Sequence, residues 1–248
     1  MVRPADLFAA IHANDLDAAR ALIQANPKAL HTHVSTPRDW GDELCLPLHA
    51  GVEHSSPEMV TLLLELGAVP DSRTRYQTPL HARRTAVHLA ARRGDPAILE
   101  RLLNNAGDPE VRDADSRAPL TEAAAHDHPE TLNLLLQHKI NPDPVDLTGR
   151  TPLHHAIRAG SIACTDLLLA AGVKVDHPCP KEPEAFTPLH RAVTLWCDDP
   201  ETCVTITQAL LRATANPKLA DPRDDLTPLD RAKQKQADAL VDLLESSG

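Results

Sequence analysis

Apolar residues along this chain fall into short blocks separated by polar stretches that carry Asp and Pro. One kind of block is Leu-rich: Leu62-Leu63-Leu64, Leu102-Leu103, Leu134-Leu135-Leu136, Leu167-Leu168-Leu169, Leu210-Leu211 and Leu243-Leu244. Each reads as the buried face of a short helix. A second kind precedes it and opens with a Thr-Pro pair, as at Thr151-Pro152-Leu153-His154. A Thr oxygen can cap a helix start, and a Pro at the first helical position gives up an N–H that has no partner there. Small pairs such as Ala90-Ala91 and Ala123-Ala124 follow and would let a neighbouring helix approach closely. Gly94 and Gly160 fall where this first helix would close in a left-handed cap, and Gly67 and Gly172 where the second helix would end.

The opening motif recurs. Thr151-Pro152-Leu153-His154 returns as Thr187-Pro188-Leu189-His190 and Thr227-Pro228-Leu229-Asp230. Looser copies are Leu46-Pro47-Leu48-His49, Thr85-Ala86-Val87-His88, Ala118-Pro119-Leu120-Thr121 and, at the start, Ala5-Asp6-Leu7-Phe8. The starts at 5, 46, 85, 118, 151, 187 and 227 are spaced by 41, 39, 33, 33, 36 and 40 residues. A base period of 33 with insertions accounts for all of them, and periods of this size mark stacked repeats. A fuller match places the third start at Thr85. A second Thr78-Pro79-Leu80-His81 lies seven residues earlier, so 70–84 becomes a long connecting finger.

The residues of the fifth copy, Thr151 to Arg158 with Gly160, Leu167-Leu168-Leu169 and Gly172, closely resemble the ankyrin repeat family. The resemblance runs over essentially the whole chain. It implies an all-α solenoid of helix–turn–helix units with β-hairpin-like fingers, here seven repeats in one domain over 1–248. It also implies that His49, His88, His154 and His190 bridge backbone and Thr groups near the fingers. Phe8 and Asp230 depart from that His in the outer copies, as expected where a terminal repeat turns one face to water.

Composition agrees with thin helical layers. The 248 residues hold two Trp, one Tyr and two Phe, while 42% are hydrophobic in the broad count. Strand-rich sandwiches and base-stacking platforms both draw on aromatic rings. A net charge of −10 disfavours nonspecific contact with nucleic acid or anionic membranes. No apolar run reaches spanning length. Cys45, Cys164, Cys179, Cys197 and Cys203 are scattered with no CxxC, so a reducing cytoplasm is the expected compartment.

Charge is unevenly placed. Segment 71–95 holds six Arg against Asp71 and Asp95, a local +4. The resemblance puts recognition positions at the ends of first helices and on the fingers. That selects Arg92, Arg93, His126 and Arg158 on the helix face. Trp40, Arg75, Tyr76, Arg84, Arg117, Arg150 and Phe186 are the finger candidates, with Arg84, Arg117 and Arg150 at the finger tips. The expected stripe would meet an acidic patch on a protein partner, with the chain acting as a monomeric adaptor, scaffold or inhibitor. Its bland alternative is a solvated face with Asp partners inside the molecule. Insertions at 31–45, 177–186 and 196–203 carry Trp40, Phe186 and Trp196. These rings serve either as interface anchors or as plugs that pin long loops.

Chemistry has weaker support. GxSxG, GxxxxGK[ST], HExxH and GxGxxG are absent. Cys197 and Cys203 read as loop thiols, and no catalytic group, metal or cofactor is expected. The competing readings are a metal- or small-ligand sensor, built around His31, His33, Cys45, His49 and His54, or an enzyme on a repeat scaffold.

Overall fold

The computed structural model describes residues 3–35, 43–76, 83–181, 186–195 and 199–247. Helices dominate, and they come in pairs. The first repeat holds α1 (Pro4–His12) and α2 (Leu16–Ala25), followed by a 3-10 turn over Pro27–His31. The next pairs are α3 (Pro47–His54) with α4 (Pro57–Glu65), and α5 (Ala86–Arg93) with α6 (Pro96–Asn104). Then come α7 (Pro119–Ala125) with α8 (Pro129–Gln137), and α9 (Pro152–Arg158) with α10 (Ile162–Ala170). The last pairs are α11 (Pro188–Thr194) with α12 (Pro200–Arg212), and α13 (Pro228–Gln234) with α14 (Asp238–Ser246). The first helices of these pairs begin at Pro4, Pro47, Ala86, Pro119, Pro152, Pro188 and Pro228. Thr85 caps α5, as the longer-finger register requires. Thr78–His81 lies outside the described residues.

Two compact units emerge, Met1–Pro119 and Leu120–Gly248. In the first, α1, α3 and α5 pack in succession, and α2, α4 and α6 do the same behind them. In the second, α9, α11 and α13 form one row, while α8, α10, α12 and α14 form the other. Small residues make the close approach possible: Ala86, Ala90, Ala91, Ala123 and Ala124 are buried. The Leu-rich faces close the layers, with Leu63, Leu99, Leu102, Leu132, Leu135 and Leu168 fully buried. Phe8 is buried in the N-terminal repeat.

Helix ends follow a common rule that the glycines only hint at. After first helices, Asn14, Gly94, Asp127, Gly160 and Gln236 take a left-handed backbone; after second helices, Gly67, Ala106, Lys139, Gly172 and Thr214 do. The tight reversal is a property of the repeat, and most copies accept a side chain there despite the steric cost. Two of these residues also reach onward. Asn14 accepts the Ser56 N–H at 3.2 Å, and the Ser161 hydroxyl donates to the Asp127 carboxylate.

The described residues of the 31–45 insertion include β structure. Strands β1 (Val34–Ser35), β2 (Glu43–Cys45) and β3 (Arg75–Tyr76) form an antiparallel sheet in the order β1-β2-β3. Val34 faces Cys45, and Leu44 faces Arg75. The insertion therefore extends the following finger. Alternation over so few residues is too short to read as a strand from sequence. Another loop expectation fails at 196–203: α12 begins at Pro200, so Cys203 lies in a helix and is buried.

Candidate functional site

The motif histidines form the frame on which any recognition surface rests. His49 Nδ1 accepts the Leu46 N–H at 3.0 Å, and its Nε2 donates to the Ser72 carbonyl at 2.9 Å. His88 Nδ1 meets the Thr85 N–H and hydroxyl, while Nε2 donates to the Arg117 carbonyl at 3.1 Å. His190 repeats the scheme with Thr187 and the Leu226 carbonyl. A carbonyl only accepts, so each ring carries its hydrogen on Nε2 and presents a bare Nδ1 to the helix start. In the Thr85 and Thr151 copies the imidazole accepts the N–H of the N-cap Thr itself, the reciprocal half of a capping box. Burial pushes His49 down to about 4 and His154 down to about 3, and it lowers His190 as well. These are neutral structural rings. His154 differs in one respect: its buried Nε2 has no partner among the described residues.

Each finger hangs from the next frame. The Thr74 N–H bonds the Arg84 carbonyl, Asp113 bonds Arg117, Asp146 bonds Arg150, Cys179 bonds Phe186 and Asp221 bonds Leu226. The residue before the returning arm is left-handed at Arg83, Ser116, Gly149 and Asp225. Arg84, Arg117 and Arg150 are consequently at the closed base of their hairpins, and all three are half-buried. Their expected position at the tips is corrected: a residue adjacent to the motif must return to the helix start, so its carbonyl closes the turn. The tips are residues such as Asp115 and Thr148. Phe186 also closes a finger base. Its ring is half-buried and meets His190 edge-on at 6.2 Å, the arrangement of a plug. Trp40, Trp196 and Cys197 lie outside the described residues. The backbone of Tyr76 is in β3, next to the exposed Arg75.

The first-helix ends carry the other candidates. In the first unit, Arg92 donates to Glu53 at 2.7 Å and Arg93 donates to the Val52 carbonyl, tying α5 to α3. The rings of His12 and His54 stack at 4.5 Å beside them. In the second unit, His126 is exposed, bonds the Glu122 carbonyl at 3.0 Å and lies against His128. Arg158 is exposed and borders a shallow cleft with Leu195, Asp199 and Thr202. Arg92 is thus neutralised within the molecule, whereas Arg93 and Arg158 remain exposed.

Among the described residues no group of three His, Cys, Asp or Glu is placed to hold a metal ion. His33 instead bonds the Arg73 carbonyl at 3.1 Å, and Cys45 is buried. A family model for ankyrin repeats (3 copies) matches residues 71–146, 87–179 and 141–221, more than half of the chain. The chain belongs to the ankyrin repeat family. Among curated proteins, human B-cell lymphoma 3 protein is 34% identical over 155 residues, covering 58% of this chain and 33% of that protein. The p105 subunit of nuclear factor NF-kappa-B from Gallus gallus is 31% identical over 178 residues, covering 66% of this chain and 17% of its own. The ankyrin chain thus spans a third or less of the length of these relatives. Among solved structures, the ankyrin repeat domain of Bcl-3 superposes with a TM-score of 0.75 and 27% identity, covering 97% of each chain. An ankyrin repeat domain from Acinetobacter baumannii gives 0.71 and 27%, covering 82% of this chain and 97% of its own.

One feature of these ankyrin fingers escapes sequence reading. Asp146 is buried and uses its carboxylate to hold Thr148, the Arg150 N–H and, at 2.9 Å, His155 Nε2. Burial opposes its ionisation, yet the hydrogen bonds from His155, Thr148 and Arg150 outweigh it and hold the carboxyl well below the usual range. In the seventh ankyrin repeat Asp221 and Arg231 occupy the same two positions and pair at 3.0 Å, with Arg223 and Asp224 added. The Arg223 hydrogen bond leads in holding Asp221 down to about 2. A finger-base Asp and a donor side chain one residue after the motif, His155 or Arg231, thus lock finger to helix. The signal was present in sequence as Asp at −5 or −6 with His or Arg at +4 from Thr151 and Thr227.

Proposed function

We propose that this ankyrin chain is a non-catalytic protein-recognition module, acting as an adaptor, scaffold or inhibitor on a partner with an acidic patch. Family membership supports recognition of protein rather than bond chemistry. The observation that carries the acidic-partner reading is the exposure of Arg93, Arg158 and Arg75 at helix ends and fingers, in a chain whose net charge is −10. An Arg in such a place can fork onto a carboxylate and orient the partner. The reading includes a monomer working in the cytoplasm without a cofactor. Four cysteines, Cys45, Cys164, Cys179 and Cys203, are free thiols, as a reducing compartment allows. Among the described residues no helix is long and apolar enough to cross a membrane.

The deciding experiment is affinity capture from the native cell with wild type and an Arg92→Glu/Arg93→Glu variant. Reversal of the exposed Arg93 repels an acidic partner, so partner recovery should fall while the far-ultraviolet spectrum keeps its helical signal. Undiminished recovery would remove the helix-end surface from the interface.

A further inference from the structure

Between the start of the insertion and the second finger lies an open cleft of about 510 Å³ lined by His31, His33, Asp71, Arg73, Arg75 and Arg83. Three guanidiniums and two imidazoles meet one carboxylate there. With His neutral the lining carries a formal +2, the opposite of the chain as a whole. The lone carboxylate is already engaged, since Asp71 accepts the Asp108 N–H at 3.0 Å.

Several cations elsewhere are neutralised within the molecule. Arg92 pairs with Glu53, while Arg223 and Arg231 pair with Asp221. Arg73, Arg75 and Arg83 have no ion-pair carboxylate among the described residues. Yet Arg73 is not loose. Its Nη1 donates to the carbonyls of Arg83 at 3.0 Å and Arg112 at 2.6 Å, which fixes the guanidinium plane and leaves the other N–H groups available. Arg83 is set by the left-handed turn that the other fingers place at Ser116, Gly149 and Asp225. His33 donates its Nε2 hydrogen to the Arg73 carbonyl and so ties the insertion to the finger beside the guanidiniums. A pre-oriented guanidinium with cationic neighbours is the arrangement that binds tetrahedral oxyanions well.

We propose that this cleft receives a phosphorylated side chain projecting from the protein partner. A phosphate monoester carries about −1.5 to −2 at neutral pH, which matches the charge of the lining. The open form suits a group presented on a larger surface. Nucleic acid fits less well, because phosphodiester binding needs a cationic track, whereas here the positive charge is confined to one cleft. The proposal rests on the recognition reading above but moves its anion contact from the helix ends to the second finger.

The test titrates isotopically labelled full-length protein with O-phospho-L-serine and follows the Arg Nε–H signals by NMR. Sodium acetate and sodium chloride at matched ionic strength serve as controls. Arg73, Arg75 and Arg83 should shift with phosphoserine at millimolar concentration, and an Arg75→Gln/Arg83→Gln variant should bind at least tenfold more weakly with an unchanged thermal transition. Both altered residues are at the surface. A bead-borne phosphoserine peptide library should be retained at least tenfold better than the same library without phosphate. Equal shifts with acetate, a response that survives in the double variant, or equal retention of unphosphorylated peptides would overturn the proposal. So would inorganic phosphate bound as tightly as the best phosphopeptides, or a single-stranded oligonucleotide retained as well as they are. If a partner is still captured while the phosphoserine response is missing, only the cleft assignment fails. If no partner is captured, the recognition reading fails, and the phosphoserine titration still decides the cleft.

Discussion

Replacing Asp146 should show what a buried, fully hydrogen-bonded carboxylate contributes at a finger base. Its carboxylate accepts from the Thr148 N–H at 2.8 Å, the Thr148 hydroxyl at 2.6 Å, the Arg150 N–H at 3.0 Å and His155 Nε2 at 2.9 Å. Both side chains of the Asp146–His155 pair are almost wholly buried. Asp146→Ala strands the buried His155 donor and opens the finger base, a loss of about 2–4 kcal/mol from the stranded donor and the two finger N–H groups together. Asp146→Asn keeps a neutral acceptor for the two backbone N–H groups and forfeits mainly the charge assistance, about 1–2 kcal/mol. Urea titration at pH 7, read by circular dichroism at helix wavelengths, gives both values. The carboxyl is depressed in the folded state, so its contribution is present above the unfolded value of about 3.9 and is lost as pH falls through the folded one. Wild type should therefore lose stability below about pH 4 more steeply than Asp146→Asn does. An alanine variant within about 1 kcal/mol of wild type would refute the reasoning. So would an asparagine variant as damaging as the alanine one.

Other perturbations follow the same geometry. His88→Ala should cost about 1 kcal/mol more than His154→Ala, because His88 Nε2 loses the Arg117 carbonyl whereas His154 Nε2 has no partner among the described residues to lose. Paired urea midpoints decide between that and an equal loss. His49, His154 and His190 are all depressed, so their neutral-ring contribution is complete above the unfolded value of about 6.5. It should decline as pH falls toward the folded values, and thermal midpoints that stay level between pH 7 and pH 4.5 would contradict this. Thr214 holds a left-handed backbone with a β-branched side chain, so Thr214→Gly should raise stability by roughly 1 kcal/mol, whereas Gly172→Thr should lower it by a similar amount.

Much of the fold was legible because the motif reports a local event. The motif and its looser copies report a helix start through local bonds, and Thr85, Thr151, Thr187 and Thr227 all stand at the N-cap of a helix. Events that depend on distant partners were not legible. Glu43 to Cys45 form a strand between two distant partners, Val34-Ser35 on one side and Arg75-Tyr76 on the other. Cys203 joins a helix that starts at Pro200, inside a segment that reads as a loop. Candidate site residues fared unevenly for the same reason. Arg93 and Arg158 are exposed at first-helix ends, the positions that the family resemblance selects. Arg84, Arg117 and Arg150 do not reach finger tips, since the hydrogen bond across each hairpin draws them back to its base. Counting charge showed that 71–95 is basic, but only the turn geometry shows Arg73 and Arg83 sharing a cleft with His31 and His33.

The connecting loops carry a regular tie between successive repeats. Asp71 accepts the backbone N–H of Asp108, Asp143 that of Lys174, and Asp176 that of Asn216. In every case the acceptor is a side chain and the donor is main chain. Nearly any residue can supply that donor, so the tie demands one letter of the sending repeat and almost nothing of the receiving one. Copies joined in this way can be duplicated, deleted or exchanged as cassettes, and each newcomer is held at once without a matching change in its neighbour. Drift in the recognition residues and in repeat number is then free to proceed independently, and the unequal spacings of this chain are the trace such a history would leave.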